Sequence, residues 1–256
     1  HPEYSTPECS NLRELVAHDK AGERIVWECA QKHARLGLDT RIYKNNTDYH
    51  GASYGTHECL LMLRDVAPDT LIRSLIPFLV TRPIYAGCGK VGMEVDRGSQ
   101  AVFQLSQRAD FFSVEASVDT LHNRPLVNTR DEPHATPRKY RRLHVIVGDA
   151  HMSEISNFLK VGTTALVLSM IEDDWFARAS REFPLQSPVA SMRRVSYDLD
   201  LTLPLELADG RTMTALELQW EHLDLARKYA EERGLDAVGG AEVGYDILRR
   251  WEHVLA

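Results

Sequence analysis

The opening residues HPEYSTPEC set two carboxylates, Glu3 and Glu8, beside the hydroxyls of Ser5 and Thr6. Hard cations and phosphates need such oxygen ligands and hydroxyl donors; the alternative for so short a stretch is an ordinary polar turn before a helix. His57 and Glu58 are chain neighbours in SYGTHE. In an extended strand their side chains point to opposite faces, so at most one enters a common site. His57 suits a metal or a phosphate oxygen and equally a loop carbonyl, and the absence of HExxH removes the zinc-protease reading. The densest cluster is Asn128 to His134, six polar side chains in seven residues, just before Tyr140-Arg141-Arg142. Arg130, Arg141 and Arg142 suit forked hydrogen bonds to phosphate, with Asp131 or Glu132 orienting an arginine or holding a cation; the alternative is a solvated salt-bridge cluster. Arg142 and His144, two residues apart on a strand, lie ~7 Å apart on one face, the reach of one nucleotide phosphate and its metal ion. Neither a Walker motif nor GxGxxG is present, and Gly87-Cys88-Gly89-Lys90 lacks the rest of a P-loop. A bound nucleotide would therefore lie on a sheet, held by charged side chains.

The elements that must position these groups follow from hydrophobic spacing. Leu143, Val145 and Val147 alternate with Arg142, His144 and Ile146, which predicts a strand with a core face and a polar face. Thr56 to Arg64 predicts a second strand, reached from a strand candidate Arg41–Tyr43 through the polar stretch Lys44 to Gly55, a candidate binding loop. Ala101–Leu105 and Phe111–Ala116 are further strand candidates among the turn glycines Gly87, Gly89, Gly92 and Gly98. Ser10 is placed to cap a first helix that covers the sheet, and Pro68 to open a buried helix that Pro77 kinks or ends. Ser153 to Glu172, apolar on more than one side, predicts a deeply packed helix. Ala208-Asp209-Gly210 marks a tight hairpin, and Thr214 with Glu217 forms a capping box. Asp173 to Leu199, with two prolines and little periodicity, reads as a linker or insertion.

The 256 residues, 43% hydrophobic and 26% charged, suffice for one large domain or two small ones. A formal charge of −7 argues against a general nucleic-acid binder, although a local basic pocket remains compatible with it. No apolar run approaches a membrane span, and no secretory signal opens the chain. Cys9, Cys29, Cys59 and Cys88 form no CxxC pair, so reduced thiols in a cytoplasm are expected. The chain lacks an initiating Met, and Val243, Ile247, Leu248, Trp251 and Leu255 keep helical spacing to its last residues. An internal piece of a longer protein is the expectation.

The segments HPEYSTPEC, YKNNTDYHGASYGTHE, PFLVTRP, FQLSQRAD, NTRDEPHA and KYRRLHVIVGDAHMSEISNFLKVGTTALVLSMIED, in this order, resemble the Pup ligase and depupylase family. Its members attach the small protein Pup to lysines, or remove it, upstream of bacterial proteasomes. The resemblance implies an α+β, glutamine-synthetase-like fold: an antiparallel sheet forming a cradle for ATP and magnesium, backed by helices and here incomplete at both ends. It makes residues 1–180 the central part of the ATP- and magnesium-binding domain, and residues 181–256 an insertion and helical continuation of it.

The resemblance further implies that Glu3 is a magnesium ligand and that Thr6 contacts ATP. By analogy within the fold, Arg130 and Arg142 should face phosphates and His144 a metal ion. The family's catalytic Asp stands six residues before the Glu of HPE(Y), a position this chain does not contain, so no catalytic residue is assigned and the chain alone is expected to be inactive. GASYGTHE and FFSVEASVDTLHNRPLVNTRDEPHA look closer to the depupylase branch. The implied activity is ATP-dependent hydrolysis of the isopeptide bond between Pup and substrate lysines, with deamidation of the C-terminal Gln of Pup. Its implied partners are Pup and pupylated proteins, with a functional link to the bacterial proteasome and with neither nucleic acid nor membrane. The alternatives are a Pup ligase acting through an acyl phosphate and a catalytically silent regulator that binds nucleotide or Pup.

Overall fold

The computed structural model describes residues 3–92, 103–119 and 123–256, and the alternation in the Arg141–Val147 segment organises it. In chain order the elements are α1 (Leu12–Arg35), β1 (Glu58–Leu63), α2 (Pro68–Thr81), α3 (Pro83–Ala86), β2 (Lys90–Val91), β3 (Phe103–Gln104), β4 (Phe112–Ser117) and β5 (Arg124–Asn128). There follow β6 (Tyr140–Val145), α4 (Glu154–Glu172), α5 (Trp175–Arg178), α6 (Pro188–Tyr197), β7 (Leu205–Glu206), β8 (Thr212–Met213), α7 (Ala215–Arg233) and α8 (Ala241–Leu255). The main sheet runs β1-β6-β5-β4. Its β1–β6 and β6–β5 pairs are antiparallel, whereas β5 pairs with β4 in parallel. The expected purely antiparallel sheet is thus corrected to a mixed one. Period-two burial is the same in either strand direction, so alternation locates strands without orienting them.

One face of this sheet is apolar. Met62, Leu143, Val145 and Val127 are buried there, and α2 and α4 pack behind them. Ser153 caps α4 by accepting a hydrogen bond from the Ser156 amide, as its place before an apolar run predicts. The cap of α1 is Asn11 rather than Ser10, whose amide and hydroxyl both donate to the Glu14 carboxylate instead. α1 packs chiefly on α4 rather than covering the sheet. A Cβ on Gly162 of α4 would lie 2.8 Å from Leu12 and 3.0 Å from Ile247, so that glycine lets α1 and α8 approach from either side. Pro77 neither ends nor breaks α2, which continues to Thr81. The Thr81 hydroxyl donates to the Pro77 carbonyl at 2.7 Å.

The segment Asp173 to Leu199 is core-forming, which corrects its reading as a linker. Trp175, Phe176, Met192 and Val195 join the main hydrophobic cluster, and the Ser196 carbonyl accepts the Leu105 amide at 2.7 Å. Its helices are only four and ten residues long, and serines fill two of the buried positions of α6, Ser191 and Ser196. Arg41–Tyr43 forms no strand. Of the candidate Ala101–Leu105, Phe103–Gln104 is strand and Leu105 is not, while residues 101 and 102, like Gly98, lie outside the described residues. The hairpin β7–β8 and the capping box at Thr214 form where expected. All four cysteines are free. No helix among the described residues is long and apolar enough to cross a membrane.

Candidate functional site

Opposite the apolar face, the sheet carries the polar residues that alternation places there. Cys59 pairs with His144 and Leu61 with Arg142, so these four side chains share one face. His57 precedes Cys59 by two residues and joins them: its ring meets that of His144 edge-on, centroids 5.0 Å apart. Glu58 points the other way, into the core, where both carboxylate oxygens accept from Arg82 at 3.0 and 3.1 Å. The two chain neighbours therefore part as a strand requires, and His57 is the one on the candidate site.

Glu3 is exposed, and its charge acts on His57, raising the imidazole pKa against stronger opposing effects. The leading segment thus passes close to the histidine face. Tyr4 anchors it: a Cβ on Gly22 of α1 would lie 2.2 Å from the Tyr4 ring, so the ring occupies the space that only glycine leaves. Thr6 is exposed on the same segment. Asn128, opposite His144 in register, turns the following loop by accepting the Arg130 amide on its side chain at 2.9 Å. Glu132 then joins two of the nominated arginines, 3.1 Å from Arg130 Nε and 3.6 Å from Arg142 Nη2, while Asp131 pairs with Arg64 at 2.8 Å. Arg130 is exposed; Arg142 is mostly covered, and its Nε is buried with no hydrogen-bond partner.

The electrostatics of this face are positive. Burial lowers the His144 pKa to about 4, assisted by the charges of His57, Arg142 and Arg130 and opposed by Glu132. His144 is therefore a neutral imidazole at physiological pH, and its buried Nδ1 has no partner. Burial also lowers the His57 pKa, with Arg108, Arg124 and Arg142 adding to the effect. Arg124 donates to the Ser53 carbonyl at 3.0 Å. Neither Arg124 nor Arg108 was nominated from the sequence; the only signals were a cation opening a short apolar strand and one inside FQLSQRAD. Two concavities lie away from this face, about 430 Å³ lined by Arg13, Phe158 and Arg250, and about 370 Å³ lined by Lys44, Cys88 and His151.

The buried Arg142 Nε, a donor without a partner in a positive field, suits an anion such as a phosphate group. Among the described residues no three His, Cys, Asp or Glu side chains are grouped to hold a metal. Magnesium, however, is commonly held by one or two carboxylates together with water and substrate phosphates, and Glu3 fits that pattern. The imidazole of His144 is a softer donor than magnesium prefers.

The family described as Pup-ligase protein matches residues 1–256. The chain belongs to this family. It is 54% identical over 258 residues to a depupylase of Acidothermus cellulolyticus, covering all of this chain and 50% of the relative. It is 45% identical over 261 residues to a Pup–protein ligase of Kineococcus radiotolerans, covering all of this chain and 55% of that protein. A Pup deamidase/depupylase of Mycobacterium tuberculosis is 44% identical over 259 residues, with 50% of its length covered. Among solved structures, the Pup ligase PafA in complex with ADP superposes with a TM-score of 0.85 at 38% identity, covering 100% of this chain and 56% of PafA. A complex between Pup and PafA gives a TM-score of 0.83 at 37% identity, covering 98% of this chain and 51% of that one. The mixed α/β fold of this family member is thus that of PafA over the aligned residues, and the chain spans about half the length of the curated relatives it matches.

Proposed function

We propose that the whole protein is a cytoplasmic depupylase. It hydrolyses the isopeptide bond between Pup and substrate lysines and deamidates the C-terminal Gln of Pup, with ATP and magnesium on the sheet face. The observation that carries this reading is the partnerless Nδ1 of His144 beside the partnerless Nε of Arg142, on a positively charged strand face, in a chain similar to a protein whose structure holds ADP. The face then acts as the cradle of a glutamine-synthetase-like domain. Glu3 and His144 turn toward the cation, and Thr6, Arg130 and Arg142 toward the nucleotide. The domain comprises residues 1–180, with residues 181–256 its helical continuation. When bound, cation and nucleotide polarise the carbonyl that is attacked. Of the residues of this chain, Arg142 would orient a phosphate with a planar fork already held by Glu132, and neutral His144 would offer the cation a nitrogen lone pair without a competing proton. No residue of this chain is assigned as nucleophile or base.

The 54% identity to a depupylase against 45% to a Pup–protein ligase favours hydrolysis over ligation. The test incubates the full-length protein with nucleotide, magnesium and a Pup-conjugated protein, and separately with free Pup and an unmodified target. Release of the target from the conjugate is the expected result. Conjugate formation instead makes the protein a ligase, and ADP binding without either reaction makes it a silent regulator. Pup, pupylated proteins and a proteasome-linked pathway are the partners that this reading supplies.

A further inference from the structure

Two buried guanidinium groups grip the same short piece of backbone. Arg82, at the junction of α2 and α3, donates through Nη2 to the Val147 carbonyl at 2.8 Å and through Nη1 to Thr164 Oγ1 at 2.6 Å, besides its paired contacts with Glu58. Arg108 donates through Nη1 to the carbonyls of Ile146 and Gly148 at 2.8 and 2.5 Å, and through Nε to Ser53 Oγ at 3.0 Å. Three successive carbonyls, where the chain leaves β6 just after His144, are thereby held by two arginines. Both arginines are almost wholly buried, at 1% and 2% exposure, so neither is free to take a ligand from the open face. The other end of each clamp lies near His57: Glu58 follows it in the chain, and Ser53 lies in the loop before it. Glycines permit the approach. A Cβ on Gly148 would lie 2.8 Å from Arg82 Nη2, and one on Gly55 would lie 2.6 Å from the Arg108 guanidinium, both at positive φ.

We infer that Arg82 and Arg108 are positioning residues of the nucleotide-binding face, tying the exit of β6 to the start of β1 so that the His57 and His144 rings keep their separation. The inference rests on the reading of that face given above. Carbonyls leaving a sheet need partners, and one guanidinium satisfies several in fixed directions where a lysine ammonium supplies a single point charge. Stability alone accounts poorly for the arrangement, because a buried ion pair is commonly no more stabilising than packed apolar side chains of the same volume. Glu58 and Asp149 balance the two arginines, and Lys160 joins the network 3.9 Å from Glu58 and 2.9 Å from the Asp149 carbonyl.

The test measures ADP affinity of the full-length protein by calorimetry for wild type, Arg82→Lys, Thr164→Val and Leu225→Ala. The last variant removes a buried side chain of α7 and so supplies a stability loss without touching the clamp. Arg82→Lys, folded by far-ultraviolet circular dichroism, is expected to bind ADP about tenfold or more weakly, the usual scale for loss of a supporting contact. Thr164→Val should lose less in the same direction, and Leu225→Ala should match wild type. A wild-type protein that does not bind ADP overturns the reading of the face itself. Wild-type affinity in both clamp variants overturns the positioning role alone. If Arg82→Lys does not fold, Thr164→Val decides: weaker binding supports the clamp and wild-type affinity refutes it.

Discussion

Acid should destabilise this protein through one histidine that has no part in the candidate site. His222 is fully buried on α7, with the rings of Phe78, Phe176 and Phe183 each 5.7 Å away. Its Nδ1 lies 2.6 Å from the Leu218 carbonyl, which makes Nδ1 the protonated nitrogen, and the buried Nε2 has no partner. Protonating Nε2 would bury a cation whose new N–H has no acceptor, so burial lowers the pKa to about 4, with the Leu218 contact opposing and Arg181 adding slightly. In the unfolded chain the ordinary value near 6.5 applies, so between these limits the unfolded state binds the proton and the folded state does not. The resulting stability is complete above about pH 6.5, falls as the pH drops, and levels off below about 4. Between pH 7.5 and 4.5 the loss due to this one group is about 2.5 kcal/mol. Urea denaturation of wild type and His222→Phe at both pH values isolates it: the variant should lose about 2.5 kcal/mol less than wild type over the interval. Equal losses, or a His222 imidazole that titrates near 6.5 by NMR in the folded protein, would refute the argument.

Three further outcomes concern the candidate site in the full-length protein. Glu3→Ala should weaken magnesium-dependent nucleotide binding, and an unchanged calorimetric titration removes Glu3 from the metal shell. Arg142→Gln should weaken nucleotide binding by about tenfold or more, the scale of a charge-assisted hydrogen bond, whereas Arg130→Gln, exposed and already engaged by Glu132, should cost less; the reverse order in filter binding contradicts the assigned geometry. Gly22→Ala should gain up to ~1 kcal/mol of intrinsic helix propensity in α1 yet weaken magnesium-dependent binding, because the new methyl displaces Tyr4 and with it Glu3. Unaltered binding in that variant would show that Tyr4 does not anchor the leading segment.

What the sequence made legible was the local half of the site. Arg142 sharing a face with His144, and His57 parting from Glu58, follow from strand alternation alone, which needs no knowledge of neighbours. The meeting of His57 with His144 depends on the register Cys59 to His144, set by pairing across most of the domain, and no local period encodes it. The same limit hid the parallel β4–β5 pair. It also hid the core role of Asp173 to Leu199, where the helices are short and serines fill two of the buried positions of α6, Ser191 and Ser196. Arg82 and Arg108 escaped for another reason: composition treats arginine as a surface residue, and its burial becomes visible only when Glu58, Val147 and Gly148 surround it.

The formal charge of −7 and a phosphate-binding face are compatible because charge acts locally in a folded chain. Beneath the face, Glu58 and Asp149 oppose the charges of Arg82, Arg108 and Lys160, and Arg108 still acts on His57. The field that lowers the His57 and His144 pKa values includes contributions from Arg108, Arg124, Arg130 and Arg142, with Glu3 and Glu132 the acids that oppose it. A phosphate arriving there meets Arg130 and Arg142, whose shared carboxylate partner Glu132 is half exposed and need only rotate aside. Away from the face, acids among the described residues pair on helix surfaces, as Asp246 does with Arg249 and Arg250. Net charge thus argues against wrapping a long polyanion without opposing the binding of a single nucleotide, whose few phosphates fit within one strand face.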